Sequence, residues 1–137
     1  MTIITYSENE TIREGEKLGK TLCAGSVVAL YGGLGTGKTT FTRGLAAGIG
    51  INASLSGSTS SMVKVYHGKI PLFHFDIYPL CSQDKLLDMG WEDYLCRGGV
   101  CVVEWSENAP GAFPPGTITV KLSNHGGNTR LIEITKQ

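Results

Sequence analysis

The hydrophobic positions of this chain change their spacing several times, and each change marks the boundary of a predicted element. Over Ser7–Ala24 the apolar and small residues recur every three or four positions, which predicts an amphipathic helix. A capping box is available at Ser7–Glu10 or at Thr11–Glu14, and Gly25 suits the end of the helix. The face that this spacing defines consists of Ile12, Gly15, Leu18, Gly19 and Leu22.

The remaining segments alternate between short apolar runs and stretches of helical period. The predicted strands are Ser26–Tyr31, Met62–Tyr66, Leu72–Tyr78, Val100–Trp105, Thr117–Leu122 and Arg130–Thr135. The predicted helices are Thr40–Ile49 and Ser82–Cys96, the second with a break near Gly90. Turn residues at 67–69 and 124–128 predict two antiparallel hairpins, and the polar segment 52–61 predicts a mobile loop.

Two details of this pattern bear on how the elements pack. Val100–Trp105 is almost entirely apolar, as expected of a central strand that is covered on both faces. Gly44 and Gly48 lie on the second helix and would let it approach the sheet closely, at some loss of helix propensity. Strands that alternate with helices in this way predict an α/β fold.

Composition narrows the class of protein without identifying it. The 137 residues have room for one hydrophobic core, so residues 1–137 are predicted to form a single domain. Twelve basic and twelve acidic residues leave no net charge, which disfavours a surface dedicated to nucleic acid. The chain has no apolar stretch of membrane-helix length and no signal-peptide pattern at its start, so we expect a cytoplasmic protein with no membrane association.

The cysteines and histidines do not have the spacing of a metal site. The four cysteines include no C-x-x-C pair, and Cys23 and Cys101 lie in apolar segments, which predicts buried free thiols in a reducing compartment. The three histidines, His67, His74 and His125, are not spaced as a ligand cluster, which disfavours a transition-metal site.

Candidate chemistry enters with Gly32–Thr39, which matches the phosphate-binding pattern G-x-x-x-x-G-K-[ST]. Backbone N–H groups of such a loop face a β-phosphate, Lys38 reaches the β- and γ-oxygens and stabilises charge during hydrolysis, and the Thr39 hydroxyl coordinates Mg²⁺. The chain's 19 glycines make a chance match easier, but the position between a predicted strand and a predicted helix favours function. The residues expected to contact the nucleotide are Gly33, Leu34, Gly35, Thr36, Gly37, Lys38, Thr39 and Thr40.

The loop refines the predicted fold to a P-loop NTPase-like three-layer sandwich with a mixed central sheet and antiparallel edge strands. The carboxyl-terminal hairpin is predicted to be added at one edge of that sheet. A loop of this kind needs an acidic partner at the end of a neighbouring strand to hold Mg²⁺. Asp76 and Glu104 each follow an apolar run and are the two candidates. One would hold the metal while the other positions the attacking water, and the sequence leaves the assignment open.

Several classes of nucleotide-using protein are disfavoured. The chain has no N-K-x-D motif, which disfavours an ordinary GTPase, and it is too short for an AAA-type motor. A small-molecule kinase normally holds the transferred phosphoryl group with several arginines, and this chain has few. The four arginines are Arg13, Arg43, Arg97 and Arg130. A small nucleoside or metabolite kinase and a non-catalytic ATP-sensing adaptor remain alternatives to an ATPase.

Three motifs in this order resemble the bacterial TsaE (YjeE-type) family, small ATPases that are needed to make threonylcarbamoyladenosine in tRNA. The first is the phosphate loop with its continuation, Leu34–Leu45. The second, His74–Tyr78, is close to the family pattern H-x-D-x-Y-R, and the third, Val103–Glu107, matches V-E-W-x-E. The resemblance runs nearly the whole length of the chain.

This resemblance implies ATP and Mg²⁺ as cofactors, with Thr39 and Glu104 as metal ligands and Asp76 essential for hydrolysis. Thr11 would lie near the nucleotide base, and Trp105 would lie beside the phosphates. The resemblance also implies that the protein acts on the TsaB and TsaD proteins. TsaD would transfer the threonylcarbamoyl group, so this chain would meet tRNA only indirectly.

The chain departs from the family pattern at two places. Where the family has S-P-T-F after the second helix, this chain has Gly57–Ser60, which lacks the proline and the phenylalanine. A segment of this composition is entropically harder to order, so we expect it to be mobile without nucleotide or partner. Pro79 stands where the family has an arginine, which removes a positive charge near the site or the partner surface. Weak intrinsic hydrolysis, stimulated by partners, is therefore the expected activity.

Overall fold

Helices and strands alternate along the chain, as the hydrophobic pattern predicts. The computed structural model describes residues 1–33, 35–51, 63–76, 83–88, 90–104, 106 and 111–136, and of residues 76 and 83–85 only the backbone. In chain order the elements are β1 (Thr2–Thr5), α1 (Glu8–Lys20), β2 (Val27–Tyr31), α2 (Lys38–Gly48), β3 (Val63–Tyr66), β4 (Leu72–Asp76), α3 (Gln83–Asp88), α4 (Trp91–Leu95), β5 (Val100–Glu104), β6 (Ile118–Asn124) and β7 (Arg130–Lys136).

The strands of the described residues form one seven-stranded sheet in the order β1-β7-β6-β2-β5-β4-β3. β2 lies in the middle and runs parallel to both β5 and β6, and β4 runs parallel to β5. The first predicted hairpin joins β3 and β4, with Tyr66 opposite Leu72. The second joins β6 and β7, with Asn124 opposite Arg130. The predicted mixed sheet with antiparallel strands toward its edges is confirmed.

Strand β1 is the element that the sequence analysis missed. It pairs antiparallel with β7, with Ile3 opposite Ile132. β1 therefore forms this edge of the sheet, and the expectation that the carboxyl-terminal hairpin lies at the edge is wrong. The amino group of Met1 extends this pairing by donating to the carbonyl O of Ile134 at 3.0 Å. Ile4 is half exposed. A strand of four residues with exposed apolar positions has no clear alternation, and its pairing with β7 is what stabilises it.

Alternation along the central strands directs their side chains into two hydrophobic clusters. The cluster on the side of α1 and α2 includes Val28, Leu30, Phe41, Leu45, Val100 and Val102. The cluster on the side of α3 and α4 contains Val27, Phe73, Phe75, Leu86, Trp91, Cys101 and Val103. The sheet is therefore the middle of three layers. β5 is buried along its whole length, as predicted for a strand that is covered on both faces.

Helices α1 and α2 approach each other through glycines. A Cβ atom on Gly44 would lie 2.0 Å from the carbonyl O of Ile12, and one on Gly15 would lie 2.3 Å from the carbonyl O of Phe41. Gly48 faces α1 in the same way. The expected close approach of α2 is therefore correct, but the expected partner is wrong, because these glycines face α1 and not the sheet.

Helix α1 is shorter at its carboxyl end than the pattern predicts. It ends at Lys20, with Thr21 as the C-cap, whereas the apolar spacing continues to Ala24. Because the helix stops early, Cys23 lies in the exposed turn that follows, and the prediction that its thiol is buried is wrong. The thiol of Cys101 is buried on β5 as predicted.

The start of α1 uses the first of the two possible capping boxes. Ser7 Oγ accepts a hydrogen bond from the backbone N–H of Glu10 at 3.1 Å. The Glu10 carboxylate accepts in return from the backbone N–H of Tyr6 at 3.0 Å, one residue before the cap itself. Thr11, in the alternative box, is buried inside the helix.

The other boundaries agree with the pattern within a few residues wherever the structure describes them. α2 begins at Lys38 and not at Thr40, so the helix follows the phosphate loop without a linker. The predicted helix Ser82–Cys96 consists of α3 and α4, which separate at Gly90 as expected. The predicted mobile loop 52–61 lies outside the described residues. Among the helices described, none has the length and apolarity to span a membrane.

Candidate functional site

The phosphate-loop residues lie between the carboxyl end of β2 and the amino end of α2, where the sequence predicts them. Gly32 lies directly against β6, because a Cβ atom on it would be 2.6 Å from the carbonyl O of Leu122. Within the loop, Thr36 is buried and its Oγ1 donates to the carbonyl O of Gly33 at 2.9 Å. These contacts hold Gly32 against strand β6 and tie the Thr36 side chain to the backbone of Gly33.

Lys38 is the first residue of α2, and its side chain is buried. The ammonium group donates a hydrogen bond across the loop to the carbonyl O of Gly32. Gly37 is the N-cap and has no side chain that could accept from the first turn of the helix. Uncapped N–H groups, the helix dipole and the lysine charge together make this end of α2 suited to bind an anion.

Glu104 ends β5, and its carboxylate is buried close to the start of α2. Thr39 Oγ1 donates to Oε1 of Glu104 at 3.3 Å, and Nε2 of His74 is hydrogen-bonded to Oε2. Thr39 and Glu104 are 65 positions apart in the chain. The fold thus brings together the two residues that the sequence analysis expects to bind Mg²⁺.

Opposing effects act on the pKa of Glu104. Burial raises it, but the hydrogen bond and electrostatic attraction from His74, the charge of Lys38 and the hydrogen bond from Thr39 outweigh burial and hold the pKa below its ordinary value. The group is therefore a carboxylate at neutral pH. A carboxylate oxygen beside a hydroxyl oxygen forms a hard donor set of the kind that Mg²⁺ prefers.

The other predicted acid, Asp76, lies at the matching position of the next strand. Its backbone pairs with that of Glu104 in the parallel ladder between β4 and β5. The two candidate acids are thus adjacent in the sheet, at its carboxyl edge, as the sequence analysis expects. Leu34 and Trp105, which are expected to contact the nucleotide, lie outside the described residues.

A cleft of about 120 Å³ adjoins the amino end of α2. It is lined by Glu8, Thr11, Gly37, Thr40, Asn128 and Arg130. The hydroxyl of Thr11 is buried and shares a hydrogen bond of 2.7 Å with the hydroxyl of Thr5 on β1. Thr11, expected near a nucleotide base, therefore lies in one cleft with Gly37 and Thr40 of the loop region. Gly33 and Gly35 are exposed to solvent.

Sequence reasoning missed His74 and Arg130 as candidate site residues. His74 is in the same motif as Asp76, and the alternation of β4 could have placed it on the face toward α2. Arg130 donates to the carbonyl O of Gly127 at 2.7 Å, and its side chain lies beside Gly37. No local pattern indicates this position, because it depends on the pairing of β6 with β7 and on the strand order.

The site and fold define a class of protein. A glycine-rich loop leaves a central parallel strand, a buried lysine opens the following helix, and a buried carboxylate ends the neighbouring strand. These features describe a mixed α/β protein with an anion-binding helix end beside a hard-oxygen donor pair. Residues 5–132 match the family model described as "Threonylcarbamoyl adenosine biosynthesis protein TsaE", and the chain belongs to the TsaE family. The resemblance drawn from the three motifs is confirmed.

Individual relatives are similar over most of the fold. The tRNA threonylcarbamoyladenosine biosynthesis protein TsaE of Treponema pallidum is 39% identical over 134 residues, which cover 98% of this chain and 99% of that protein. The protein of the same name from Nostoc sp. is 40% identical over 141 residues, which cover 98% and 86%. The crystal structure of Bacillus subtilis YdiB matches with a TM-score of 0.82 and 28% identity, over 99% of this chain and 84% of that one.

Proposed function

We propose that this protein binds ATP and hydrolyses it with Mg²⁺, using a P-loop NTPase-like fold, in the synthesis of threonylcarbamoyladenosine on tRNA. The observation that carries the proposal is the 3.3 Å contact between Thr39 and Glu104 at the amino end of α2. It joins a hydroxyl of the phosphate loop to a buried carboxylate, the two protein donors that a nucleotide-bound Mg²⁺ requires. The names of the relatives supply the pathway.

The nucleotide would lie across the amino end of α2. Its phosphates would accept from the loop N–H groups and from Lys38, which would exchange the carbonyl O of Gly32 for phosphate oxygens. The base and ribose would occupy the cleft that Thr11, Thr40 and Arg130 help to line. Gly37 belongs to the phosphate loop and also lines this cleft, so the phosphates and the base would lie on either side of it.

Thr39 and Glu104 would hold the Mg²⁺ ion, and both supply oxygen donors of the right kind. When bound, Mg²⁺ would supply positive charge against the phosphate oxygens. Lys38 and the N–H groups of α2 would stabilise the negative charge that develops when water attacks the γ-phosphate in line. Asp76, whose backbone is paired with that of Glu104, would orient this water.

Full activity would require the TsaB and TsaD proteins, on which this protein would act without transferring the threonylcarbamoyl group itself. Kinases and ATPases often use an arginine to stabilise the transferred phosphoryl group. In the described part of the chain Arg43 pairs with Glu8, and Arg97 pairs with Asp93. Arg130 lines the proposed nucleotide cleft, but its guanidinium is hydrogen-bonded to the carbonyl O of Gly127 in its own turn. Slow hydrolysis by the isolated protein, accelerated by partners, fits this distribution of arginines.

Phosphate release from Mg-ATP, measured with and without the TsaB–TsaD pair, tests the proposal. The pair is expected to raise a slow basal rate. Lys38→Ala should lose ATP binding, whereas Glu104→Gln should bind ATP and lose about 10²-fold in hydrolysis, the usual effect of removing one charge-stabilising group. Lys69→Ala, which removes an exposed lysine, is the matched control and should behave as wild type.

Other outcomes would identify the competing functions. Transfer of the γ-phosphate to an added nucleoside or sugar would indicate a kinase. If Glu104→Gln binds ATP, does not hydrolyse it and still supports tRNA modification, the protein is an ATP-sensing adaptor. Asp76→Ala is expected to lose hydrolysis while ATP binding is kept, and normal turnover by this variant would remove Asp76 from the mechanism.

A further inference from the structure

Each oxygen of the Glu104 carboxylate has its own hydrogen-bond partner. Oε1 accepts from Thr39 Oγ1 at 3.3 Å, and Oε2 is bonded to Nε2 of His74. A carboxylate can only accept hydrogen bonds, so the imidazole must donate through Nε2. Both His74 and Glu104 are buried, with 5% and 4% of their surface exposed. The two contacts together fix the rotation of the carboxylate group.

The sheet explains why a histidine at this position reaches Glu104. Strands β4 and β5 are parallel, with His74 opposite Val102. The neighbours of His74 on β4, Phe73 and Phe75, pack in the cluster on the side of α3 and α4. His74 therefore faces α2. Asp76, two residues further along β4, is opposite Glu104, so the His74 ring reaches along the α2-facing side of the sheet to Oε2.

The imidazole also borders open space. His74 lines a cavity of about 160 Å³ together with Thr39 and Leu72, among other residues. The cavity is therefore bordered by both residues whose side chains are hydrogen-bonded to Glu104, His74 and Thr39. A small molecule in this cavity could replace the imidazole if the side chain were removed.

We propose that His74 is a positioning residue, which donates to Oε2 of Glu104 and thereby keeps Oε1 directed at Thr39 for binding Mg²⁺. The inference rests on the proposed function, because it concerns the same pair of metal-binding oxygens. His74 acts through the carboxylate of Glu104, to which its ring is hydrogen-bonded. Hydrogen-bond partners of metal ligands typically contribute 10- to 100-fold to metal affinity, because they orient the ligand before the metal arrives.

Calorimetric titration with AMP-PNP, a non-hydrolysable ATP analogue, tests this role without measuring activity. The ratio of Kd in EDTA to Kd in Mg²⁺ defines the metal gain. His74→Leu keeps a similar volume but has no donor, and it should lower the metal gain about tenfold while Kd in EDTA changes less than about twofold. His74→Gln has an amide N–H that can reach Oε2 and should keep most of the gain.

Two further variants separate positioning from packing. Leu72→Ala enlarges the same cavity from the same strand without contacting Glu104, and its metal gain should equal that of wild type. In His74→Ala, added imidazole should restore part of the gain by entering the cavity. If His74→Ala does not fold, the comparison of His74→Leu with His74→Gln decides the question.

Three results would overturn the inference. One is an undiminished metal gain in His74→Leu, and another is an equal loss in His74→Leu and Leu72→Ala, which would reflect cavity packing alone. In both cases the wild type still binds Mg²⁺-nucleotide, so the proposed function stands and only the role of His74 fails. If wild-type protein shows no metal gain at all, the proposed function fails together with the inference.

Discussion

Side-chain clusters cover both faces of the sheet, but the layers that lie on the two faces are assembled by different contacts. On one face, α1 and α2 meet backbone to backbone, and glycines leave no space for a Cβ atom between them. On the other face, aromatic rings meet edge to face, as in Phe75 with Trp91 and Phe73 with Tyr94, each with ring centroids 5.1 Å apart. Backbone atoms cannot change rotamer, whereas rings in such contacts can repack.

The difference coincides with the position of the site. Lys38 and Thr39 lie on α2, in the layer built by backbone contact, and the first turn of that helix has to stay in register with Glu104. The aromatic layer, which contains Phe73, Phe75, Trp91 and Tyr94, includes none of the residues that are hydrogen-bonded to the Thr39 or Glu104 side chains in the described part of the chain. We call the contact of α1 with α2 through Gly15, Gly44 and Gly48 the glycine layer. We expect substitutions there to affect both stability and nucleotide binding, and substitutions in the aromatic layer to affect stability alone.

Gly44→Ala should have the largest effect. Its Cβ would lie 2.0 Å from the carbonyl O of Ile12, so α1 and α2 must separate, and the free energy of unfolding should fall by about 3 kcal/mol or more. Urea denaturation measures the change. Ala47→Gly, at an exposed position of the same helix, is the control and should lose about 1 kcal/mol. A neutral or stabilising Gly44→Ala would show that the two faces do not differ in this way.

Phe73→Leu should have a smaller effect that stays on its own face. The ring is buried against Tyr94, so a loss of about 1.5 kcal/mol is expected from the lost ring contact and imperfect repacking. ATP-analogue affinity, measured below the unfolding transition, should be unchanged. A tenfold loss of affinity in this variant would contradict the separation of the two layers.

Ser7→Ala tests the helix cap at the start of α1, one of the two helices of the glycine layer. The hydroxyl accepts from the backbone N–H of Glu10, and its removal should lower the free energy of unfolding by about 1 kcal/mol. Because the glycine contacts with α2 remain, nucleotide affinity should not change. Ser7→Asn keeps an acceptor and should recover most of the stability, and failure of this recovery would argue against the capping role.

The smallest expected effect is a pH dependence from Cys101 in the aromatic layer. Burial raises the pKa of its thiol to about 12, above the ordinary value for a free cysteine. The folded state therefore disfavours the thiolate, and stability should fall as pH rises above the unfolded pKa. At pH 9 the loss is about 0.4 kcal/mol by linkage, with the ordinary pKa of the thiol taken as 9.0. Wild type and Cys101→Val, compared by denaturation at pH 7 and pH 9, isolate this contribution; parallel behaviour would contradict it.

Much of the fold could be predicted from local pattern. The apolar run of β5, the two hairpins and the break at Gly90 all follow from spacing and turn residues, and the structure confirms them. β1 was not predictable in this way because its stability comes from β7, which lies at the far end of the chain. The early end of α1 was missed for a related reason, since Leu22 packs on the core from outside the helix.

In the candidate site, too, the residues with a local sequence pattern could be predicted and those that depend on distant strands could not. The loop and the two strand-end acids have local signatures, so Lys38, Thr39 and Glu104 could be proposed from the sequence. The bond from His74 to Glu104 depends on which strands are neighbours and in what register, and a single sequence does not contain that information directly. Roles that depend on Asp76 and Trp105 stay predictions.

The central position of β2 also sets an order of events when the chain is synthesised. Its two neighbours in the sheet begin at Val100 and Ile118, so the strand that leads into the phosphate loop has no hydrogen-bonded partner until these residues leave the ribosome. α1 and α2 are close in sequence and can associate much earlier. The growing chain would thus carry an assembled helix pair with an unpaired hydrophobic strand between them. Until β5 and β6 are made, the apolar side chains of β2 are exposed, and this is the segment through which incomplete chains would be most prone to aggregate.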